Sequence, residues 1–358
     1  LIATCRSMGT RGHKMAQFYF FFTILDKVIE QEKFSDEKVS SLIEITQKFV
    51  DGYDLKTSTK MLEVLKDFIE KRRLYNSNFN RLYALGGTYE IKFLDKNMKI
   101  SHECPNSIFD KVQKLTDYDY CLVHLYEENS NYKSHFIEAK KKNREILLDN
   151  SIFELGEAFN SEDYVKVINE LDPDWYILPD VLEDCEGTIT SAVEFLKTYS
   201  SKITSKSKTI GVIQGKNYEE LLHCYISLRN LGVDKIGISF DYSYFRELLK
   251  EETSSKEVAW CLGRLYFVER LVSEKHFDEN IPLHLLGCSL PQEFSMYPQK
   301  IKTYIDSVDT SNPIVHGLKL IPYFNEFYLN TKESVKLFTL IDSKVDNNQW
   351  DTIEQNIK

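Results

Sequence analysis

Two apolar runs, Glu145-Ile-Leu-Leu-Asp149 and Trp175-Tyr-Ile-Leu-Pro179, decide the fold of this chain. Each run has the length of a buried strand. The residues between them, 150–174, are enough for a helix that crosses from one parallel strand to the next. The two runs therefore predict a β-α-β unit with parallel strands.

The same alternation continues on both sides of this unit. Further apolar runs, separated by helix-like segments, lie at Tyr120–Leu125, Thr209–Ile213, Lys235–Ser239, Pro282–Leu286 and Tyr304–Val308. Seven such repeats over about 260 residues are typical of a TIM (β/α)8 barrel, in the α/β class. We expect the missing strand in Thr88–Phe93 or Met98–Ser101. A doubly wound open sheet is the alternative, but no G-x-G-x-x-G motif follows any run.

The chain before Gly86 has a different pattern. Apolar residues recur there at helical spacing, for example at Leu42 and Ile45. We therefore predict an N-terminal α-helical extension at residues 1–85, followed by the barrel at residues 86–358. Within the extension we expect residues 1–14 to be an upstream addition or disordered, and we assign them no function.

Composition indicates a folded cytoplasmic protein. The 358 residues are 42% hydrophobic and 28% charged, which excludes disordered and collagen-like chains. The longest apolar run, Phe18–Leu25, is far shorter than the roughly 20 residues that span a bilayer, and we recognise no signal peptide. The seven cysteines are odd in number and lack C-x-x-C spacing. They predict neither a disulfide framework nor a zinc site, and they favour a reducing compartment.

The net charge of -10 is unevenly distributed. Residues 1–85 hold 14 Lys and Arg against 11 Asp and Glu, and the rest of the chain holds 31 against 44. The stretch Lys71–Tyr83 interleaves basic and aromatic residues, as nucleic-acid-binding surfaces do. A solvated helix end beside a packed aromatic face explains that stretch more simply.

Polar residues and glycines follow the predicted strands, where the active site of a barrel lies. They are Asp149-Asn150, Asp180, Gln214-Gly215, Gly287 and Asp309. Two carboxylates that face one substrate are a common means of breaking a glycosidic bond. The glycines leave room for a flat ligand, and the Gln214 amide offers the donor and acceptor that a base edge requires.

Each of these residues also has a simpler explanation. Asp and Asn are favoured at helix N-caps and in turns, which would account for Asp149-Asn150, Asp180 and Asp309. A histidine near an apolar strand is more often a hydrogen-bonded core residue than a ligand. We therefore leave three histidines out of the predicted active site, although the first ends a predicted strand and could line the mouth: His124, His284 and His316.

Five strings of sequence, in this order, resemble the catalytic strand ends of the tRNA-guanine transglycosylases. They are Leu148–Gly156, Leu178–Asp184, Gly211–Gly215, His284–Gly287 and Ser307–Ser311. The similarity is closest to the DpdA branch, largely bacterial and phage-encoded, which inserts 7-deazaguanines into DNA. The resemblance covers about residues 118–320, and the order of the strings favours a functional explanation over five independent helix caps.

The resemblance implies a role for each residue. Asp309 matches the nucleophile that attacks C1′ of the target nucleoside, and Asp149 matches the carboxylate that handles the proton of the leaving and incoming bases. Asp180, Gln214 and Gly215 match the pocket that reads the base edge. Further residues that match the base-binding region are Asn150, Phe153, Leu286 and Gly287.

Two features of the tRNA enzymes are missing. Those enzymes carry a Cys-x-Cys-x-x-Cys plus His zinc site after the nucleophile, and no cysteine follows Cys288 here. The arginine-bearing stretch after their nucleophile is replaced by Thr310–Pro313. Because the zinc subdomain helps those enzymes to hold tRNA, its absence favours the DNA branch.

We therefore expect a DNA guanine transglycosylase from a bacterial cell or its phage. It would flip guanine out of DNA and exchange it for a free 7-deazaguanine, such as 7-cyano-7-deazaguanine, through a covalent aspartyl-glycosyl intermediate. The exchange needs no cofactor or metal. The expected partners are DNA and the free base, with an accessory DNA-binding protein as a further candidate because the chain is acidic.

Three alternatives remain open at the level of sequence. The first is the same exchange on tRNA. The second is a non-catalytic barrel that binds nucleic acid or a protein partner, because fold does not fix activity. The third is an unrelated barrel enzyme with a phosphate site after its late strands, which the lack of a glycine-rich stretch after Asp309 weakens.

Overall fold

The computed structural model describes residues 98–251, 255–288, 290–291, 293–323 and 337–358. The chain divides after Lys92 into two units, and the described residues belong to the second. The predicted helical segment at residues 1–85, with its Lys71–Tyr83 stretch, lies outside the described residues, as does the candidate strand Thr88–Phe93.

Eight parallel strands form the centre of the described unit, in the order β1-β8-β7-β6-β5-β4-β3-β2. Their bounds are β1 Lys99–His102, β2 Asp119–Leu122, β3 Ile146–Asp149, β4 Trp175–Ile177, β5 Lys208–Val212, β6 Lys235–Ser239, β7 Leu283–Leu286 and β8 Ile305–Thr310. Because helices alternate with the strands of this nearly closed sheet, the fold is the predicted (β/α)8 barrel.

Thirteen α-helices surround the strands in the described part of the chain. They are α1 Phe109–Val112, α2 Val123–Glu128, α3 Ser130–Lys141, α4 Ile152–Leu155, α5 Ser161–Leu171, α6 Cys185–Tyr199, α7 Tyr218–Leu231, α8 Ser243–Leu248, α9 Lys256–Ser273, α10 Glu293–Met296, α11 Gln299–Lys302, α12 Asn312–Leu318 and α13 Asn347–Ile357. Short 3-10 helices lie at Asn106–Ile108, Gln113–Leu115, Ser200–Lys202 and Leu337–Leu340. None of these helices combines the length and the apolar character needed to cross a membrane.

Side-chain caps start several of the crossover helices. Asn160 accepts hydrogen bonds from the second and third amides of α5, and Asn217 accepts from Glu220 N in α7. Asp184, in one of the strings that resemble the transglycosylases, caps α6 by accepting from Gly187 N at 3.0 Å. Such caps contribute about 1 kcal/mol each, and they fix where each helix starts after its strand.

The eighth strand is the second of the two predicted candidates. Met98–Ser101 overlaps β1, which pairs in parallel with β8 and places Ser101 beside Asp309. The predicted strand Tyr120–Leu125 is wrong at its end, because β2 stops at Leu122 and the next residues form α2. A run of buried apolar residues carries no signal that separates a strand from the helix that follows it.

The two ends of the strand order meet at a seam between β1 and β2, which side chains bridge. Tyr120 N donates to Ser101 Oγ at 3.2 Å, and His102 N donates to Thr116 Oγ1 at 3.0 Å. Asp117, just before β2, accepts from Ile100 N through its carboxylate and donates its own amide to Ile100 O. Between β1 and β2 the barrel is therefore closed mainly by hydrogen bonds that involve side chains, and not by a continuous backbone ladder.

Candidate active site

A cavity of about 280 Å³ lies at the carboxyl ends of the strands. Eight of the nine predicted site residues line it: Asp149, Asn150, Phe153, Asp180, Gln214, Leu286, Gly287 and Asp309. Phe153 lies in α4 and the other seven lie at or near the ends of β3, β4, β5, β7 and β8, so the barrel brings together side chains that are up to 160 positions apart in the chain.

Gly215 is the predicted site residue that the structure places elsewhere. It is next to Gln214 but is absent from the described cavity lining. A Cβ atom at this position would lie 2.8 Å from Glu220 Cβ and 2.9 Å from Leu221 N. Gly215 therefore allows the first turn of α7 to pack against the end of β5, and this contact explains the glycine without a ligand.

Asp149 ends β3 and is buried in a ring of donors and acids. Tyr120 Oη donates to Asp149 Oδ2 at 2.7 Å, and Ser151 N donates to Oδ1 at 2.5 Å. The second bond closes the kind of turn that would explain Asp149 without a catalytic role. Ser151 is buried in this turn at φ +60°, a strained conformation for a residue with a side chain. Burial, with the nearby charge of Glu154, raises the pKa of Asp149 well above its usual range despite these two donors. The side chain therefore holds a proton more readily than an ordinary aspartate does.

A polar wall joins the ends of β3, β4 and β5. Asn150 Nδ2 donates to Asp180 Oδ1 at 2.8 Å, and Gln214 Nε2 donates to Asp180 Oδ2 at 2.7 Å. Gln214 Oε1 accepts from Glu183 N, which fixes the orientation of the amide. Burial raises the pKa of Asp180 to about 6, against the opposing effect of the two amide donors. Because each carboxylate oxygen keeps a further lone pair, this wall can accept hydrogen bonds from a ligand.

Asp309 lies inside β8, which continues through Thr310, whereas the sequence predicted it just after the strand. Gly287 N lies 3.1 Å from Asp309 Oδ1 and 3.2 Å from Oδ2. His284 Nε2 lies 3.2 Å from Oδ1. The Asp309 carboxylate thus faces the end of β7, and the helix after it starts instead with a bond from Asn312 N to Thr310 Oγ1.

A buried arginine fixes the end of β7. Arg264, in α9, donates to the carbonyl oxygens of Ile238, Leu286 and Gly287 at 2.9 to 3.1 Å, and it pairs with buried Glu293 at 2.7 Å. Gly287 has φ +64°, and a Cβ there would lie 2.6 Å from the Phe240 ring. A glycine is therefore needed at this position, and its amide is held towards Asp309.

Aromatic side chains form the opposite wall of the cavity. The rings of Phe153 and Phe240 lie 6.3 Å apart between centroids, and Trp260 packs edge-on against Phe240 at 5.3 Å. Phe153 is 47% exposed, so one of its faces is accessible to a ligand. Flat aromatic surfaces beside a polar wall suit a planar heterocycle, which stacks on rings and hydrogen-bonds through its edge.

The cavity lining is strongly acidic. Among its described residues only Lys256 carries a positive charge, and seven carry carboxylates: Glu103, Asp149, Glu154, Asp180, Asp241, Glu257 and Asp309. Such a surface repels phosphate and attracts hydrogen-bond donors. The cavity therefore suits a ligand that carries hydrogen-bond donors and no large negative charge.

Sequence reasoning missed several cavity residues. Phe240 and Asp241 directly follow β6, so the rule that found the other strand ends would have found them. Tyr120 lies inside β2 and Trp260 inside α9, where apolar periodicity indicates only core. His284 was excluded as a core histidine, yet it is the side chain next to Asp309. His124 and His316 are buried and are not among the lining residues that the structure describes.

One further group in the described chain has the side chains that bind metals. Atoms of Cys185, Glu186 and His223 lie within 4.8 Å of one another, on α6 and α7 and outside the cavity. Glu186 and His223 are exposed, and His223 Nε2 lies 3.3 Å from Glu186 Oε1. Thiol, imidazole and carboxylate ligands suit zinc, but this group has no contact with the cavity residues that would perform chemistry.

No protein-family model matches this chain, and no curated protein is similar to it. Function must therefore be argued from the cavity itself.

Proposed function

We propose that this protein is a DNA guanine transglycosylase, which replaces guanine in DNA with a free 7-deazaguanine. The observation that carries the proposal is that Asp149 and Asp309 line one cavity from different strands and have different partners. One carboxyl is suited to carry a proton, and the other is held by donors on one side. That pairing is what the exchange of a glycosidic bond requires.

The target base would lie between the polar and aromatic walls. Guanine presents N–H donors at its Watson–Crick edge, and Asp180 can accept them when it is ionised. Phe153 would stack on one face of the base, with Phe240 beside it. In duplex DNA the nucleotide must first leave the stack, which costs a few kcal/mol.

The reaction then has two balanced halves. In the first, an oxygen of Asp309 attacks C1′, the C1′–N9 bond breaks, and the departing guanine takes a proton from Asp149. In the second, the incoming base loses its N9 proton to Asp149, N9 attacks C1′, and the bond between C1′ and Asp309 breaks. Over the two halves together, one N-glycosidic bond is exchanged for another of similar energy, so no energy source is needed.

Affinity for the DNA backbone must come from residues outside the cavity. Lys256 is the single described cation in the lining, whereas strong nucleic-acid binding uses many lysines and arginines. The mildly basic residues 1–85 or an accessory DNA-binding protein would supply these contacts.

The test is incubation of the full chain with radiolabelled guanine and either duplex DNA or unmodified tRNA, followed by counting of acid-precipitable label. We expect label in DNA. Asp309→Asn should abolish incorporation, and the matched control Asp351→Asn, an exposed carboxylate on α13, should incorporate as the parent does. Label in tRNA would reassign the same chemistry to RNA. Incorporation by Asp309→Asn at the parental rate would refute the nucleophile.

A further inference from the structure

A chain of buried polar side chains runs behind Asp309 through β6, β7 and β8. Lys235 Nζ lies 2.7 Å from Asp306 Oδ2 and 3.2 Å from Ser307 Oγ. Ser307 Oγ lies 3.0 Å from His284 Nδ1, and His284 Nε2 lies 3.2 Å from Asp309 Oδ1. Lys235, Ser307 and His284 are each at most 2% exposed. Water is thus largely excluded from these contacts, and each partner determines the hydrogen bonding of the next.

The donor directions in this chain follow from its first member. A lysine ammonium has only donors, so Ser307 Oγ accepts from Lys235 and has one hydrogen left. That hydrogen points to His284 Nδ1, which must then be the unprotonated nitrogen of the ring. Burial lowers the pKa of His284, in agreement with a neutral imidazole. The remaining ring proton therefore sits on Nε2, the atom that faces Asp309.

The ring of His284 is held from two further sides. Tyr120 stacks beside it at 6.2 Å with an interplanar angle of 16°, and Tyr118 meets it edge-on at 6.5 Å. His284 Nε2 is buried and lies 3.2 Å from Asp309 Oδ1, but it makes no complete hydrogen bond there. Catalytic hydrogen bonds often tighten only in the reacting complex.

We propose that His284 is a positioning residue for Asp309, held by Lys235 and Ser307 in the tautomer that carries its proton on Nε2, the atom beside Asp309 Oδ1. This inference rests on the proposed function. Gly287 N–H contacts both carboxylate oxygens, whereas the imidazole is a second neighbour of Oδ1 alone, so Oδ2 has fewer contacts. Oδ2 is then the oxygen that attacks C1′. The imidazole of His284 does not need a positive charge for this role, because a neutral N–H donor can orient the Asp309 carboxylate and leave it ionised.

Two neighbouring side chains stabilise the buried charge of Lys235. Lys235 lies 3.8 Å from the centre of the Trp175 ring and pairs with Asp306. The Asp306 carboxylate balances the ammonium charge, so the chain transmits a hydrogen-bond direction and little net charge to His284.

The first test needs no turnover. In protein labelled with ¹⁵N-histidine, the His284 signals are assigned by their loss in His284→Gln. We expect the shifts of a neutral ring protonated at Nε2. Ser307→Ala should bring the Nδ1 and Nε2 shifts closer together, because the tautomer is no longer fixed, whereas the exposed control Ser134→Ala should leave them unchanged. A ring protonated at Nδ1, or at both nitrogens, in the parent protein overturns the proposal.

The second test addresses Asp309 itself. We expect Asp309→Asn to move the Nε2 signal of His284, and Asp351→Asn to leave it in place. An unmoved signal in Asp309→Asn shows that the ring and the carboxylate are not coupled, and it overturns the proposal. Because these spectra are recorded without substrate, they retain their meaning even if the parent protein incorporates no guanine, which would refute the proposed function alone.

The third test measures base exchange. His284→Leu should lower kcat about 10- to 100-fold with little change in KM for DNA, since a misaligned carboxylate slows the attack and not the binding. His284→Gln, whose amide can still donate from the Nε2 position, should recover most of that loss. A structural role would lower stability in both variants and would give no recovery in kcat, which would contradict the proposal.

Discussion

The ends of β3 and β8 each present a buried carboxylate to the same cavity, but their surroundings differ. Asp149 accepts from Tyr120 and Ser151, but burial and the nearby acids Glu154 and Asp180 raise its pKa well above the usual range. Asp309 faces donors from β7: the amide of Gly287 and the imidazole of His284. Two residues of the same type are thus prepared for two roles, and the surroundings, not the residue type, make the difference.

Some neighbouring side chains contact the surroundings of both carboxylates, and others contact those of only one. Tyr120 acts on both regions, because its hydroxyl donates to Asp149 and its ring stacks beside His284. Arg264 acts on the β8 side alone, through the carbonyl of Gly287. Substitutions can therefore change one carboxylate environment while the other stays intact, and each of the following experiments does so.

The largest effect should come from Asp309→Asn. An amide cannot form the covalent intermediate, so we expect base exchange to fall by at least about 10,000-fold. Single-turnover guanine release from DNA measures this loss, with circular dichroism to show that the variant folds. Asp149→Asn should keep a smaller residual rate, because proton transfer contributes about 100- to 10,000-fold. A reversed order of the two losses would contradict the assignment of roles.

Arg264→Met should have the next largest effect, on stability. The substitution leaves Glu293 buried without its cation, which costs about 3 to 5 kcal/mol in the free energy of unfolding. Urea denaturation measures the loss. Replacing both partners, Arg264→Met with Glu293→Leu, should restore most of the stability, but exchange should remain slow because Gly287 has lost its anchor. Full recovery of exchange in the double variant would show that Arg264 has no role at the β8 side.

Tyr120→Phe should change the Asp149 side with the ring retained beside His284. The Tyr120 hydrogen bond stabilises the ionised form of Asp149 and so lowers its pKa. Its removal should raise that pKa further, and the alkaline limb of the pH profile for guanine release should move upward with it. A downward shift would contradict the role of Asp149 as proton donor.

The smallest effect should be the pH dependence of base binding. Asp180 has a pKa of about 6, and only its ionised form accepts from both wall amides and the guanine edge together. Affinity for free guanine should therefore fall roughly tenfold between pH 7 and pH 5, as the ionised fraction falls. Calorimetric titration at the two pH values measures it. In Asp180→Asn the affinity should be weaker and independent of pH over this range.

Most of the barrel could be predicted from sequence because short apolar runs mark the strands from β2 to β7. In contrast, β1 borders the seam and has one apolar residue in four, and the sequence left it between two candidates. The end of β2 was misplaced because α2 begins with buried residues and without a side-chain cap, so nothing in the chain marks the change.

The residues of the candidate site could be predicted only where a polar side chain ends or follows an apolar run. Asp149, Asp180, Gln214 and Asp309 follow or end apolar runs and were found, and the resemblance to the transglycosylases gave their order. Residues such as Tyr120 and His284 lie within strands, and one sequence does not show which face of a strand points to a cavity. Their partners became visible only when the barrel placed neighbouring strands side by side.

The side-chain seam between β1 and β2 has a consequence for local unfolding. Few hydrogen bonds join these strands, so native-state opening there requires less free energy than opening of a laddered pair, and the Tyr120 and His102 amides should exchange their hydrogens early. Ser101 is the strand partner of Asp309 across the β1–β8 pair. Opening along the seam leaves β1 paired with β8 but makes β1 an edge strand, so a single strand then separates β8 and its Asp309 from an open edge of the sheet.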